Sequence, residues 1–310
     1  MDKNTEFQMK FLYQAAHSPE SQKSMETCLR EDSLDYWTHL RILKYLDPVI
    51  TSFPEAKWLT VGDGHFAAEA RHILKINQGA DVLATDLFET PLKMAKDMGL
   101  IQKYSVQDVT NLKFEDHSFD IVIAKSCIHH IPKPMLAIYE MIRVARQAVI
   151  LIEPCEQAWL PGVDSNNLSF RDFVRSWLKQ SGLLDRVRKI RKISPPPAIQ
   201  SSFEPVGNFV YKLSRREIEK LVLGIGFPAV AFATLNSYYE SGMGNELAVE
   251  GSALFRKTKK EIEKMDRAGL TGLLVSVILF KKPDQLLRQG LENSGFSVYD
   301  MPPNPYVSLS

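Results

Sequence analysis

The sequence predicts an α/β fold, a mostly parallel sheet with helices on both faces, and three observations carry that prediction. Short apolar runs such as KWLTV and FDIVIAK alternate with amphipathic stretches of helical period over residues 57–154. Strands this apolar need cover on both faces, which the intervening helices supply. A glycine turn, VGDGHF, follows the first run and opens a helix. The composition agrees: of 310 residues, 45% are hydrophobic and 24% charged, enough for a sizeable core.

The elements follow in order. Ser33 suits the cap of a helix with Tyr36, Leu40 and Leu43 on one face, and DPVITSFPEA is expected to break it. KWLTV is the first strand, with a helix over residues 66–75. DVLATD is the second; Thr90 is the expected N-cap of the next helix and Pro91 its first residue. YSVQD, FDIVIAKS and AVILIEP are the third, fourth and fifth strands, and a proline-opened helix, IPKPMLAIYEMIRVAR, joins the last two.

After Glu153 the rhythm changes. Ser169 is placed as the cap of a helix striped by Phe170, Phe173, Val174, Trp177 and Leu178, running on to RVRKIRK and SPPP. Ser214 and Glu217 form a capping box for a helix burying Ile218, Leu221, Val222 and Ile225. AVAFATL and LLVSVILF are the sixth and seventh strands, connected through a charged helix at 256–267. The closing SVYDMPPNPYVSLS is broken by proline and reads as a tail or lid. The expected organisation is a helical extension at 1–50, a ligand-binding core at 51–155, a substrate-cap insertion at 156–212, the end of the core fold at 213–283 and a C-terminal tail at 284–310.

A net charge of +1 gives no field that would draw nucleic acid or a membrane surface. The longest apolar run, Leu270 to Phe280, is about half of a membrane span, so none is expected. The polar start, MDKNTEFQMK, lacks the apolar core of a signal peptide. Cys28, Cys127 and Cys155 cannot make a disulfide framework, and a cytoplasmic location is expected. No group of His, Cys, Asp or Glu has metal-ligand spacing, so no required metal is expected. Oligomeric state has no signal in the sequence.

In an open parallel sheet, ligands bind beyond the carboxyl ends of the strands. Gly62 and Gly64 remove side chains there, and a helix N-terminus offers unpaired N–H groups. Asp86, 24 residues after Gly62, ends the second strand, where a carboxylate can accept both hydroxyls of a ribose. Asp108 ends the third, in reach of an adenine amine. A glycine turn and two acids at successive strand ends point to an adenosine compound. A dinucleotide would want glycine at the third position of G-x-G-x-x-G, which is Ala67. The plainer reading is that the two glycines only make a tight turn.

From Trp58 to Pro154 the chain resembles the core of the class I S-adenosylmethionine-dependent methyltransferases. VGDGHF stands at the glycine motif, ATD at the ribose acid, SVQDVTNLKFEDHSFDIVIAKSCIHHI at the adenine and fourth-strand motifs, and AVILIEP at the fifth strand. The resemblance implies a Rossmann-like, seven-stranded, mostly parallel sheet with a reversed last strand, and S-adenosyl-L-methionine as methyl donor. It implies Gly62, Asp63 and Gly64 along the methionine moiety, Asp86 and Leu87 at the ribose, Asp108 and Val109 at the adenine, and the backbone of Lys125 and Ser126 beside the methionine. The chain departs from the pattern in three places. Thr60 replaces the usual strand acid, Phe66 stands at the third glycine and is expected to crowd the methionine end, and RVARQAVI lacks a Pro-Gly-Gly turn.

Within the class, the likeness is to small-molecule enzymes of bacterial surface-glycan and natural-product pathways. That implies methylation of a small-molecule or glycan hydroxyl, with the nitrogen of an amino sugar second. A nicotinamide-dependent oxidoreductase and a non-catalytic S-adenosylmethionine-binding protein are the alternatives.

The sulfonium methyl is already activated, so the protein has mainly to align the acceptor and exclude water. A hydroxyl acceptor gains from a base titrating near neutrality. KSCIHHI delivers His129 and His130 to the strand ends, with Glu153 on the acceptor side. The structural alternatives are a cap for the following helix and, for Glu153, a structural hydrogen bond. His65 reads as a cofactor-side or solvent contact, and Asp116 and Asp120, at the opposite strand end, as structural. RVRKIRK, five basic residues in seven, is a solvated face or a patch for an anionic group. Glu204, Asn208, Tyr211 and Arg215 are candidates to read acceptor hydroxyls.

Overall fold

The computed structural model describes residues 29–156, 210–240 and 242–307. The Ser169 helix, RVRKIRK, SPPP, Glu204 and Asn208 lie outside the described residues.

The chain order is α1 (Leu34–Leu43), α2 (Asp47–Ser52), β1 (Lys57–Val61), α3 (Ala68–Ile76), β2 (Asp81–Asp86), α4 (Glu89–Asp97), β3 (Lys103–Val106), β4 (Phe119–Lys125), α5 (Pro134–Val144) and β5 (Ala145–Pro154). After the undescribed stretch come α6 (Arg215–Ile225), β6 (Ala229–Leu235), α7 (Ala253–Arg267), β7 (Leu273–Leu279), α8 (Gln285–Asn293) and β8 (Ser297–Asp300). The strands form one sheet in the order β3-β2-β1-β4-β5-β7-β6-β8. β1 to β5 are parallel, while β7 runs antiparallel to both β5 and β6. The mostly parallel sheet with a reversed β7 is as the sequence predicts.

Alternating residues of each strand feed two apolar layers. Trp58, Ile121, Ile123, Ile150 and Ile152 pack with α2, α3 and α8 on one face. Leu59, Val122, Val149 and Leu151 pack with α5 and α6 on the other. Burial on both faces is why these strands read as nearly unbroken apolar runs. Among the described residues, no helix is long and apolar enough to cross a membrane.

Four local expectations are corrected. DPVITS forms α2 instead of breaking the chain, because Pro48 falls in its first turn, where no N–H is needed. α4 starts at Glu89 behind Phe88, so Thr90 and Pro91 lie inside the helix. α1 is capped by Ser33 as expected, but its buried face is Leu34, Asp35, Thr38, Ile42 and Leu43, with Tyr36 and Leu40 half-buried. Finally, 284–310 is not a plain tail. Asp284 caps α8 by accepting from Leu287 N–H at 2.7 Å, and β8 adds an eighth strand antiparallel to β6. The Ser214–Glu217 capping box of α6 forms as read.

Candidate active site

The strand order turns back between β1 and β4, and the loops leaving these strands make the crevice an open α/β sheet offers to ligands. Gly62 has a φ of +68°, and a side chain there would overlap Cys127 at the end of β4. A Cβ on Gly64 would stand 2.6 Å from Asp86 Oδ2. Both glycines are thus required by protein neighbours, beyond whatever lies against the backbone. Gly62→Ala, facing both left-handed strain and this overlap, is expected to cost about 1–3 kcal/mol. A urea midpoint equal to the parent's would contradict that packing.

Phe66 and Ala67 continue the turn in left-handed backbone, at φ +54° and +53°. Such backbone costs a non-glycine residue roughly 1–2 kcal/mol. Burial compensates, since both side chains sit in the core layer beneath α3. Phe66 therefore leaves the crevice instead of crowding it.

Asp63 also turns inward, which corrects its expected cofactor role as far as its side chain is concerned. Its carboxylate accepts from Thr60 Oγ1 at 2.7 Å, Glu69 N–H at 3.1 Å and Ala70 N–H at 3.0 Å. The Lys125 side chain is likewise committed to the interior, with Nζ 2.9 Å from Glu69 Oε1 and both groups buried. Burial works against the Glu69 charge, but the Lys125 ammonium overrides it and holds the carboxyl below its ordinary range. Burial and the Glu69 charge together hold Asp63 well above its own.

The polar groups of the strand ends remain at the crevice. Asp86 Oδ1 accepts from Phe88 N–H at 2.8 Å, and burial pushes its carboxyl up to about 6. Leu87 beside it is half-buried. Asp108, exposed and two residues past β3, accepts through Oδ1 from Thr110 N–H at 2.8 Å and Thr110 Oγ1 at 2.7 Å. Val109 next to it is buried. Ser126 is exposed, left-handed at φ +52°, and donates its N–H to Ile152 O at 2.9 Å.

On the acceptor side, Glu153 is fully buried at the end of β5. Its Oε1 accepts from Cys127 N–H at 3.0 Å and Ile128 N–H at 2.9 Å, closing the turn after β4. Its Oε2 is 2.6 Å from His129 Nδ1. The carboxylate fixes the imidazole, so Nε2 is the nitrogen left to exchange a proton. The His130 ring is tilted against that of His129, with centroids 3.9 Å apart.

Tyr211 joins this group, donating its N–H to His129 O at 2.9 Å and its hydroxyl to Glu217. Arg215 does not: its Nε is 2.8 Å from Glu219, and its guanidinium lies over the rings of Phe232 and Tyr299. Asp116 and Asp120 are structural as read, pairing with Arg143 and Arg146.

Residues 59–152 match a family model described as a methyltransferase domain. The chain carries a methyltransferase domain. Beside this domain match, no curated protein matches the chain in sequence. Solved structures similar to it include an S-adenosylmethionine-dependent methyltransferase from Thermotoga maritima, 16% identical with a TM-score of 0.43, covering 79% of this chain and 93% of that one. A magnesium protoporphyrin IX methyltransferase from Synechocystis PCC 6803 with bound SAH is 13% identical, with a TM-score of 0.46 and coverage of 87% and 98%. An S-adenosylmethionine-dependent methyltransferase from Methanosarcina mazei is 17% identical, with a TM-score of 0.42 and coverage of 74% and 96%.

One polar cluster beside this methyltransferase domain's glycine turn escaped the sequence reading. Asp35, His39 and His65 line a cavity of about 430 Å³ between α1 and α3. Burial, with Lys125 nearby, brings His39 down to about 3; the same causes lower His65, whose ring stands in a recess open to water. The available signal was Asp35 and His39 at i and i+4 on one helix face.

Proposed function

We propose that the chain methylates a hydroxyl of a small molecule, a sugar or glycan intermediate, with His129 as general base. The Glu153–His129 contact at 2.6 Å, buried at the ends of β5 and β4, carries the reading. S-adenosylmethionine supplies an activated methyl group. Asp86 holds the ribose hydroxyls, Asp108 the adenine, and the main chain of Gly62 to Gly64 and Lys125 to Ser126 borders the methionine. His129 takes the acceptor's proton on Nε2 as its oxygen gains the methyl group. Glu153 keeps the ring in the required tautomer and stabilises the imidazolium. Tyr211, hydrogen-bonded to the His129 carbonyl, borders the acceptor. An amine acceptor would use the same alignment. A panel of hydroxylated and amino sugars, assayed for S-adenosylhomocysteine release, tests the acceptor class. Turnover confined to protein or nucleic-acid acceptors would overturn it.

Donor binding is tested separately. Asp86→Ala should weaken S-adenosylhomocysteine by about 1–3 kcal/mol in calorimetry, the loss of a charge-assisted hydrogen bond. The pH dependence has a definite sign. Burial raises the Asp86 carboxyl to about 6, so the free protein favours its protonated form and loses that preference as pH rises through 6. Ribose hydroxyls donate to the charged form, so affinity should be full above pH 6 and fall by up to about tenfold per unit below it. Equal affinity at pH 5 and pH 7.5 would remove Asp86 from the ribose.

A further inference from the structure

Asp35 and His39 stand one turn apart on α1, and His65 approaches them from the glycine turn. One donor atom from each can be chosen so that all three lie within 4.8 Å of one another. Asp35 Oδ1 and His39 Nε2 are 3.8 Å apart, too long for a hydrogen bond. Two ligands of a tetrahedral zinc ion, each bonded at about 2.0–2.1 Å, stand roughly 3.4 Å apart. The three donors thus stand at most about 1.4 Å farther apart than a shared ion requires. The two imidazole rings are 5.4 Å apart and tilted by 30°.

We propose that Asp35, His39 and His65 bind one divalent transition-metal ion, zinc being the best match, with a fourth position open to water. Two imidazoles and a carboxylate are the ligand types zinc takes when it keeps an open site. The surrounding charges permit it. Lys125 faces both histidines from β4 but is paired with Glu69 at 2.9 Å. Lys75, in the same cavity, is paired with Glu31 at 2.7 Å. Arg71 is the opposing cation, acting on His65 from α3, and Asp35 supplies the charge that attracts the ion. The proposal departs from the expectation of no metal, which rested on spacing along the chain, whereas here the third ligand comes from a different element.

The test uses the full chain stripped with a chelator. Zinc is titrated against a chromophoric competitor, and cobalt is added separately to read the visible absorption of a low-coordinate site. One ion per chain is expected. His39→Ala and His65→Ala should each weaken zinc at least about 10–100-fold, the effect seen even for residues that only support ligands. Zinc should raise the melting temperature of the parent and not of these variants. No bound ion, or parental affinity in both variants, overturns the proposal. Asp35→Asn adds a third arm, while the two histidines, each in contact with solvent, keep the test decisive if that buried change harms folding. The inference is independent of the methyl-transfer reading: S-adenosylhomocysteine binding without zinc binding would sink it alone.

Discussion

Replacing Lys125 by methionine is expected to lower the unfolding free energy by about 3–5 kcal/mol, the usual cost of leaving one partner of a buried ion pair uncompensated. The Glu69 carboxylate would lose the ammonium 2.9 Å away while staying buried beneath the glycine turn. Glu69→Ala should cost a similar amount through the stranded ammonium. Asp63→Asn is the informative contrast. An amide there removes no ammonium partner and keeps one oxygen acceptor, but both carboxyl oxygens accept an N–H of α3, so one of those donors loses its partner. It should cost about 1–3 kcal/mol, the scale of one buried donor left without an acceptor, and less than loss of the ion pair. Denaturant unfolding of the three variants checks the set. A small loss in Lys125→Met would contradict a stabilising Lys125–Glu69 pair. These losses should also appear as weaker donor binding, since Glu69 and Lys125 support the turn from below.

The second large effect concerns turnover. With an acceptor identified from the sugar panel, His129→Ala should reduce kcat by about 10²–10⁴, the range for removing a positioned general base. S-adenosylhomocysteine affinity should stay near the parent's. Glu153→Gln should also slow turnover, because the amide still accepts from Cys127 and Ile128 N–H but cannot stabilise an imidazolium. His130→Ala serves as the control, since its neighbour holds the contact to Glu153. Normal turnover in His129→Ala would leave Glu153 and His129 as a structural closure of the turn after β4.

Much of this architecture is legible in the sequence because burial on both faces forces apolar strands and periodic helices to alternate. The glycine turn, the ends of β2 and β4, and the capping box at Ser214 follow from short-range rules. What escaped depends on long-range context. Pro48 reads as a breaker unless the helix start is known. β8 has little apolar alternation because its residues are mostly exposed, so nothing local marks it as a strand. Asp63, between two glycines, looks like a ligand contact, and only the fold shows it bonded to Thr60 and the start of α3. The Asp35, His39 and His65 group is assembled from two elements, and its residues lack a compact motif. Arg215, next to a plausible substrate segment, is drawn away by two aromatic rings and Glu219.

The eighth strand bears on how copies of this chain meet one another. Six of the seven side chains of β6 are apolar, and without β8 its outer row of N–H and C=O groups would be open to any passing strand. The C-terminal region occupies that row itself. Among the described residues, the sheet then finishes at both rims in strands of four residues, β3 and β8. Past β8 the chain runs into Pro302 and Pro303, which have no N–H to extend a ladder. On the β8 side, the chain's own end thus takes the place an incoming strand would need.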